Sequence, residues 1–145
     1  MIRAVLVAIA LLLLGACTRI EADALPNVKL GMGPGDVRAR FEPGGEGTWQ
    51  TKVAAAAGDT ALEWKATNGS AKVKDARFEF HNGMLVAVRA QTREPAPSGE
   101  SISATPSTVS VRRPVAGGEG TEIVVLSRDC PTHKDESSAL AAKAK

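Results

Sequence analysis

The stretch ARFEFHNGMLVAV, residues 76–88, contains the strongest structural pattern in this chain. Its first half alternates apolar residues with the charged Arg77 and Glu79, which is typical of a strand with one buried and one solvated face. Asn82-Gly83 is a turn signal, and the residues from Met84 onward are again apolar. The stretch therefore predicts an antiparallel β-hairpin.

The register of this hairpin depends on the length of its loop. A two-residue Asn82-Gly83 turn would place Val86 against Glu79, which mixes apolar and charged residues on one face. A three-residue loop, with Gly83 in the left-handed conformation, keeps the apolar residues together. We therefore predict the three-residue loop. The resulting cross-strand pairs are Phe80 with Met84, Phe78 with Val86, Ala76 with Val88 and Asp75 with Arg89.

Weaker patterns lie on both sides of the hairpin. Upstream, Leu62, Trp64 and Ala66 alternate with charged residues and predict a further strand. A short helix is expected from Pro34 to Phe41, because proline suits the first helical position and Asp36 places a carboxylate in the first turn. Downstream, two apolar runs predict a second strand pair, and the unbroken one predicts a strand covered on both faces. These runs are Val109-Ser110-Val111 and Ile123-Val124-Val125-Leu126.

The N-terminus has the pattern of an export signal. Arg3 supplies a positive charge, and the run from Ala4 to Leu14 is apolar. This run covers roughly half of the ~30 Å hydrocarbon core of a bilayer, so it is too short for a transmembrane anchor.

The residues that follow the apolar run resemble the lipobox of bacterial lipoproteins. Leu14-Gly15-Ala16-Cys17 matches its pattern, and the resemblance implies cleavage between Ala16 and Cys17 with acyl chains, such as palmitate, on Cys17. Thr18 at the second mature position implies sorting to the outer membrane, facing the periplasm. The alternative is an ordinary signal peptidase site at Ala22-Asp23-Ala24, which would release a freely diffusing protein.

The patterns divide the chain into six segments. Their order is a signal peptide (1–16), a lipidated tether (17–27), an α+β domain (28–90), a Pro/Ser-rich linker or long loop (91–107), an additional β-hairpin (108–128) and a polar tail (129–145).

The domain at 28–90 partly resembles the small outer-membrane lipoproteins of the SmpA/OmlA (BamE-like) type. The similarity lies in Gly31-Met32-Gly33-Pro34 with Val37 and Phe41, in the Trp64 strand, and in the hairpin around Asn82-Gly83. It implies helices packed against a three-stranded antiparallel sheet. Together with the second strand pair, we expect an α+β fold in which a short N-terminal helix packs on an antiparallel sheet of three to five strands. The similarity also implies a role in the assembly of outer-membrane proteins.

Composition provides little sign of catalysis or of nucleic-acid binding. Lys plus Arg number 18 against 16 Asp plus Glu, and no basic stripe is present. With Cys17 acylated, Cys130 has no disulfide partner within the chain, so it is buried, paired with another molecule or reactive, and burial as a small apolar residue is the expectation. Cys130 and His133 have a ligand-like spacing but supply only half of a tetrahedral metal site, and His81 falls in the hairpin loop.

We therefore predict a non-enzymatic, membrane-anchored binding or assembly module without cofactor, metal or catalytic residues. The membrane and another envelope protein are its expected partners, and Trp49 is the candidate partner contact. One alternative is a metal-binding or thiol-dependent protein centred on Cys130 and His133. The other is a structural lipoprotein with no dedicated partner.

Overall fold

Antiparallel strands account for most of the regular secondary structure in this computed structural model, which describes Leu25 and residues 27–53 and 58–144. The lipidation site expected at Cys17, and the cleavage site beside Ala16, lie outside these residues. The strands are β1 (Gly47–Val53), β2 (Asp59–Ala66), β3 (Val73–His81), β4 (Met84–Thr92), β5 (Ser101–Ala104), β6 (Thr108–Pro114) and β7 (Thr121–Ser127). They form one sheet in the order β1-β2-β3-β4-β7-β6-β5.

A short helix, α1 (Pro34–Arg40), begins where the sequence predicted and packs on one face of the sheet. We call this the N-terminal face. Its core includes Val37 from the helix and the Phe41 ring just after it, which lies edge-on to Trp49, Trp64 and Phe78 with centroid separations of 5.1 to 5.5 Å. The opposite face, which we call the C-terminal face, carries a second helix, α2 (Lys134–Ala141). Within the described residues, no helix has the length and apolar character needed to cross a bilayer.

The predicted register of the central hairpin is wrong. The chain uses the two-residue turn, with φ of 50° at Asn82 and 76° at Gly83, so that His81 lies opposite Met84. A β-bulge then adds one residue to β4, because Phe80 pairs with Leu85 whereas Glu79 pairs with Ala87. The bulge brings Val88 opposite Phe78 and returns the apolar residues to one face.

The expected second hairpin is confirmed as β6 and β7, and β7 continues the main sheet by pairing with β4. Ile123 and Val125 are buried on the N-terminal face, while Val124 and Leu126 are buried on the C-terminal face. The strand covered on both faces is therefore confirmed as well.

The expected α+β fold, with a short N-terminal helix on a sheet of three to five strands, is wrong. Within the described residues, seven strands form the sheet, and the two α-helices are short. Two strands account for the difference. β1 lies where the sequence was equally compatible with a helix or with a strand through Trp49, Thr51 and Val53, and β5 lies within the Pro/Ser-rich segment. Both are mainly exposed edge strands, held by backbone pairing to β2 and β6, so they leave little apolar periodicity in the sequence.

Candidate polar groove on the C-terminal face

The C-terminal face is divided into an apolar half and a polar half. The apolar half, on β5, β6 and β7, is covered by α2 through Leu140 and Ala141. The polar half lies mainly on β2, β3 and β4 and forms an open groove of about 360 Å³. We call it the polar groove. Its polar lining residues are Glu63, Lys65, Asp75, Arg77, Arg89, Gln91 and Glu122.

Cross-strand pairing places two arginines side by side in the polar groove. Arg77 lies directly opposite Arg89, an arrangement that would be destabilising if both charges were unpaired. Each guanidinium is instead neutralised by carboxylates. Arg77 bonds to Glu63 and, through Nε at 2.9 Å, to Glu79. The Nη2 atom of Arg89 lies 2.7 Å from Oε2 of Glu136, which reaches the groove from α2.

The pairing between Arg89 and Glu136 affects both charges. A hydrogen bond from Arg89 lowers the pKa of Glu136 below its usual value, and the same bond raises the pKa of Arg89. The pair therefore keeps both groups charged at neutral pH and attaches α2 to the border of the groove.

Asp75 is the unusual acid of the polar groove. Among the described residues it makes no ion pair, although Lys65 and Gln91 lie opposite it on the neighbouring strands. Loss of hydration among the surrounding side chains raises the pKa of Asp75; Lys65 and Lys74 oppose this rise, and Glu122 adds to it. The ionised form of Asp75 therefore costs the folded state free energy.

Replacing Asp75 with asparagine is expected to stabilise the protein at neutral pH. Because its pKa is raised on folding, the folded state binds a proton more tightly than the unfolded state, and stability is lost as pH rises from 3.8 through the folded pKa. The variant should therefore melt at a higher temperature than the natural protein at pH 7. The advantage should shrink toward zero as the pH approaches 3.8, which thermal unfolding at several pH values measures.

Asp129→Asn is the matched control, because Asp129 is exposed and does not line the groove. It removes one negative charge of the same type and should leave the melting temperature nearly unchanged at every pH. An Asp75→Asn advantage that stays constant with pH would contradict the assignment of the effect to ionisation.

A second, smaller pocket of about 110 Å³ is lined by His81 and His133, the two histidines of the chain. Each imidazole contacts a carboxylate, with His81 Nδ1 lying 2.5 Å from Asp59 and His133 Nε2 lying 2.9 Å from Glu79. Glu79 thus bridges Arg77 and His133. This link holds the 3-10 turn at Pro131–His133 against the sheet.

The structure does not join Cys130 and His133 into a site of the type considered from the sequence. Cys130 is buried, with 5% of its surface exposed, and the imidazole of His133 contacts Glu79. Across the described residues, no three His, Cys, Asp or Glu side chains cluster in a way that could hold a metal ion. The spacing of Cys130 and His133 instead belongs to the 3-10 turn, in which the His133 amide donates to the Cys130 carbonyl at 3.1 Å.

Trp49, the candidate partner contact, lies on β1 on the N-terminal face, away from the polar groove. Its ring is half-buried against Phe41 and Phe78, and the Arg38 guanidinium lies 5.6 Å from its centroid. Part of the residue remains accessible at the edge of the sheet.

Sequence reasoning missed the polar groove because it treated the charged strand residues as separate solvated positions. Glu63 and Arg77 are opposite each other only once the register of β2 and β3 is known. The alternation of both signs of charge along β2 and β3 was the available signal.

No protein-family model, curated protein or solved structure matches this chain. The resemblance to the SmpA/OmlA type therefore stays a prediction, and the geometry of the polar groove is the basis for proposing a function.

Proposed function

We propose that this chain is a lipid-anchored, extracytoplasmic binding module that uses the polar groove to bind another protein of the cell envelope. In this proposal the protein is not an enzyme. Cys17 carries the acyl chains, and the described sheet is the recognition domain.

The observation that carries the proposal is the incomplete cover of the C-terminal face. α2 packs on the strands of the apolar half and leaves the polar groove open. The groove offers guanidinium, ammonium, carboxylate and amide groups to a partner, and such groups form charge-assisted hydrogen bonds with charged side chains. Arg77 and Arg89 are also held on rigid strands by their own carboxylates, so binding need not order them.

The proposed anchor determines the class of partner. Several acyl chains on Cys17 would hold the protein at a membrane, since each buried methylene contributes about 0.8 kcal/mol. The partner must then be in the same compartment or membrane. Acidic and basic residues are interspersed in the groove, which favours a protein with both signs of charge over nucleic acid.

Site-specific photo-crosslinking in intact cells tests the proposal. A photoreactive amino acid replaces Gln91, which lies between Asp75 and Glu122 in the polar groove. The control position is Ser103, an exposed residue of β5 that lies on the opposite face. We expect a discrete crosslinked product from position 91 and none from position 103, both in the membrane fraction.

Cys17→Ser provides the test of the anchor in the same experiment. It should move the chain to the soluble fraction and strongly reduce the product at position 91. A chain that stays in the membrane fraction without Cys17 would contradict the anchor, and equal products from both positions would contradict the groove.

The identity of the crosslinked protein separates the remaining interpretations. A component of the outer-membrane assembly machinery would support the role implied by the SmpA/OmlA resemblance. Absence of any product from Gln91 would favour a structural lipoprotein with no dedicated partner.

A further inference from the structure

The two edges of the sheet differ in their capacity to pair with another strand. β5 has four residues, whereas β1 has seven and contains no proline. Within the described part of the chain, the backbone groups of β1 pair only with β2. Natural edge strands are usually short, bulged or rich in charge, which prevents pairing with another chain. β1 has none of these protections except Lys52.

Two side chains of β1 leave apolar surface at this edge. Val53 is 88% exposed, the highest value among the exposed large hydrophobic residues of the described chain. Trp49 is half-buried on the same face, four residues earlier. Because both side chains lie on one face of the edge strand, a strand paired with β1 could cover them together.

We propose that β1 pairs antiparallel with β1 of a second copy of this chain, with the two Thr51 residues directly opposite each other. The exposed edge would then become the centre of a sheet that continues through both copies.

The side chains of β1 favour this register. With Thr51 at the two-fold axis, Trp49 lies opposite Val53 of the second copy and Gln50 lies opposite Lys52. Threonine pairs and pairs of an aromatic with a β-branched residue are among the favourable cross-strand contacts. Two Trp49 and Val53 contacts form by symmetry, and they cover the exposed valines.

Neighbouring registers are worse. Centring on Lys52 places two lysines opposite each other, which is repulsive. Centring on Gln50 places Val53 opposite Gly47, which offers no side chain to cover it. The register about Thr51 is therefore the one that avoids opposed lysines and also covers Val53 with an apolar side chain.

Arg38 gives the proposed dimer a dependence on salt. Its Nη2 atom lies 3.2 Å from Oγ1 of Thr51, so the two-fold axis brings two arginines toward each other. Salt screens such repulsion, and the dimer should become stronger as ionic strength rises.

A ladder of this length buries less surface than the roughly 1,200 to 2,000 Å² typical of stable complexes, so pairing should be weak for the protein in dilute solution. Confinement to a membrane raises the effective concentration and would favour the dimer. This last step rests on the proposed lipid anchor, whereas the pairing itself does not.

Disulfide crosslinking of the full chain in its native membrane tests the pairing. Thr51→Cys places two thiols at the two-fold axis. Thr48→Cys is the matched control, because residue 48 is on the same exposed strand but lies far from residue 48 of the second copy in this register. Cys17 is expected to be acylated and Cys130 is buried, so the introduced thiol is the reactive one. Mild oxidation should give a disulfide-linked dimer several-fold more abundant with Thr51→Cys, and more abundant still at higher salt.

Val53→Lys, introduced together with Thr51→Cys, should reduce this dimer several-fold because it removes the contact with Trp49. Met84→Lys is its control, since Met84 is also exposed (55%) but lies on the β4 strand, away from β1. The proposal would be overturned by equal crosslinking at positions 48 and 51 or by the absence of a dimer with Thr51→Cys. It would also be overturned if Val53→Lys and Met84→Lys changed the amount of dimer equally. The same crosslinking is repeated in solution with concentrated Cys17→Ser protein. A dimer in solution but none in the membrane would show that the proposed anchor is wrong, whereas no dimer in either would show that the β1 edge does not pair.

Discussion

Replacing Phe41 with alanine is expected to lower the free energy of unfolding by about 4 kcal/mol, within the usual range for a buried phenylalanine. The Phe41 ring is 7% exposed and meets three aromatic rings edge-on, at 5.5 Å from Trp49, 5.4 Å from Trp64 and 5.1 Å from Phe78. Such pairs contribute beyond the burial of area. Because Phe41 directly follows α1, the substitution also removes a main attachment of that helix.

Equilibrium unfolding in urea, followed by tryptophan fluorescence, measures this loss. Trp49 and Trp64 both contact the Phe41 ring, so their emission reports on the cluster as well as on unfolding. Phe41→Leu, which retains much of the volume, should cost less than Phe41→Ala. Equal losses for the two variants would show that the aromatic contacts do not stabilise the fold in this way.

The second large effect is expected at Gly120, where alanine should cost about 3 kcal/mol. Gly120 has a φ of 109°, a conformation that residues with a side chain rarely adopt. A Cβ atom at this position would also lie 2.0 Å from the carbonyl oxygen of Thr92. That oxygen belongs to the backbone of β4, which is paired with β7, so it cannot move aside without disturbing the ladder.

Gly117→Ala is the control for this prediction. Gly117 lies in the same loop with a φ of 66°, but its Cβ would meet no atom within 4 Å. Its cost should be about 1 kcal/mol, from the left-handed conformation alone. The difference between the two melting temperatures isolates the contact with Thr92, and similar melting temperatures would contradict that contact.

The elements that bury an apolar pattern could be predicted from the sequence. Proline and a first-turn carboxylate determined where α1 begins, and β6 and β7 followed from their apolar runs. The register of the central hairpin could not be predicted in the same way. A β-bulge inserts Val86 as an extra residue after the turn. In the sequence, the bulge is indicated only by the mismatch between apolar and charged residues that a two-residue turn without a bulge would create.

The edge strands show a second limit. β1 buries none of its residues completely, so its strand character comes from hydrogen bonds to β2 rather than from alternation of its own side chains. The same holds for β5 on β6. Backbone pairing of this kind depends on a neighbour, and a pattern read within one segment does not reveal it.

The contacts at the border of the polar groove could not be predicted for a related reason. Glu136 comes from α2 and reaches Arg89 across a large separation in the sequence. The partnership of His133 with Glu79 likewise depends on how the last turn packs on β3. Residue types alone identified the histidine and the thiol as candidates, but tertiary contacts decided their roles.

The strand order has a consequence for how the chain acquires its structure. In the part of the chain that the structure describes, five of the six ladders join consecutive strands, and only β4 with β7 brings together segments separated by the excursion from Thr92 to Thr121. The entropy lost on closing a long loop is therefore concentrated at one seam between two meanders, β1 to β4 and β5 to β7. That seam is closed by apolar pairs, Val88 with Val125 and Ala90 with Ile123, whose burial offsets the cost.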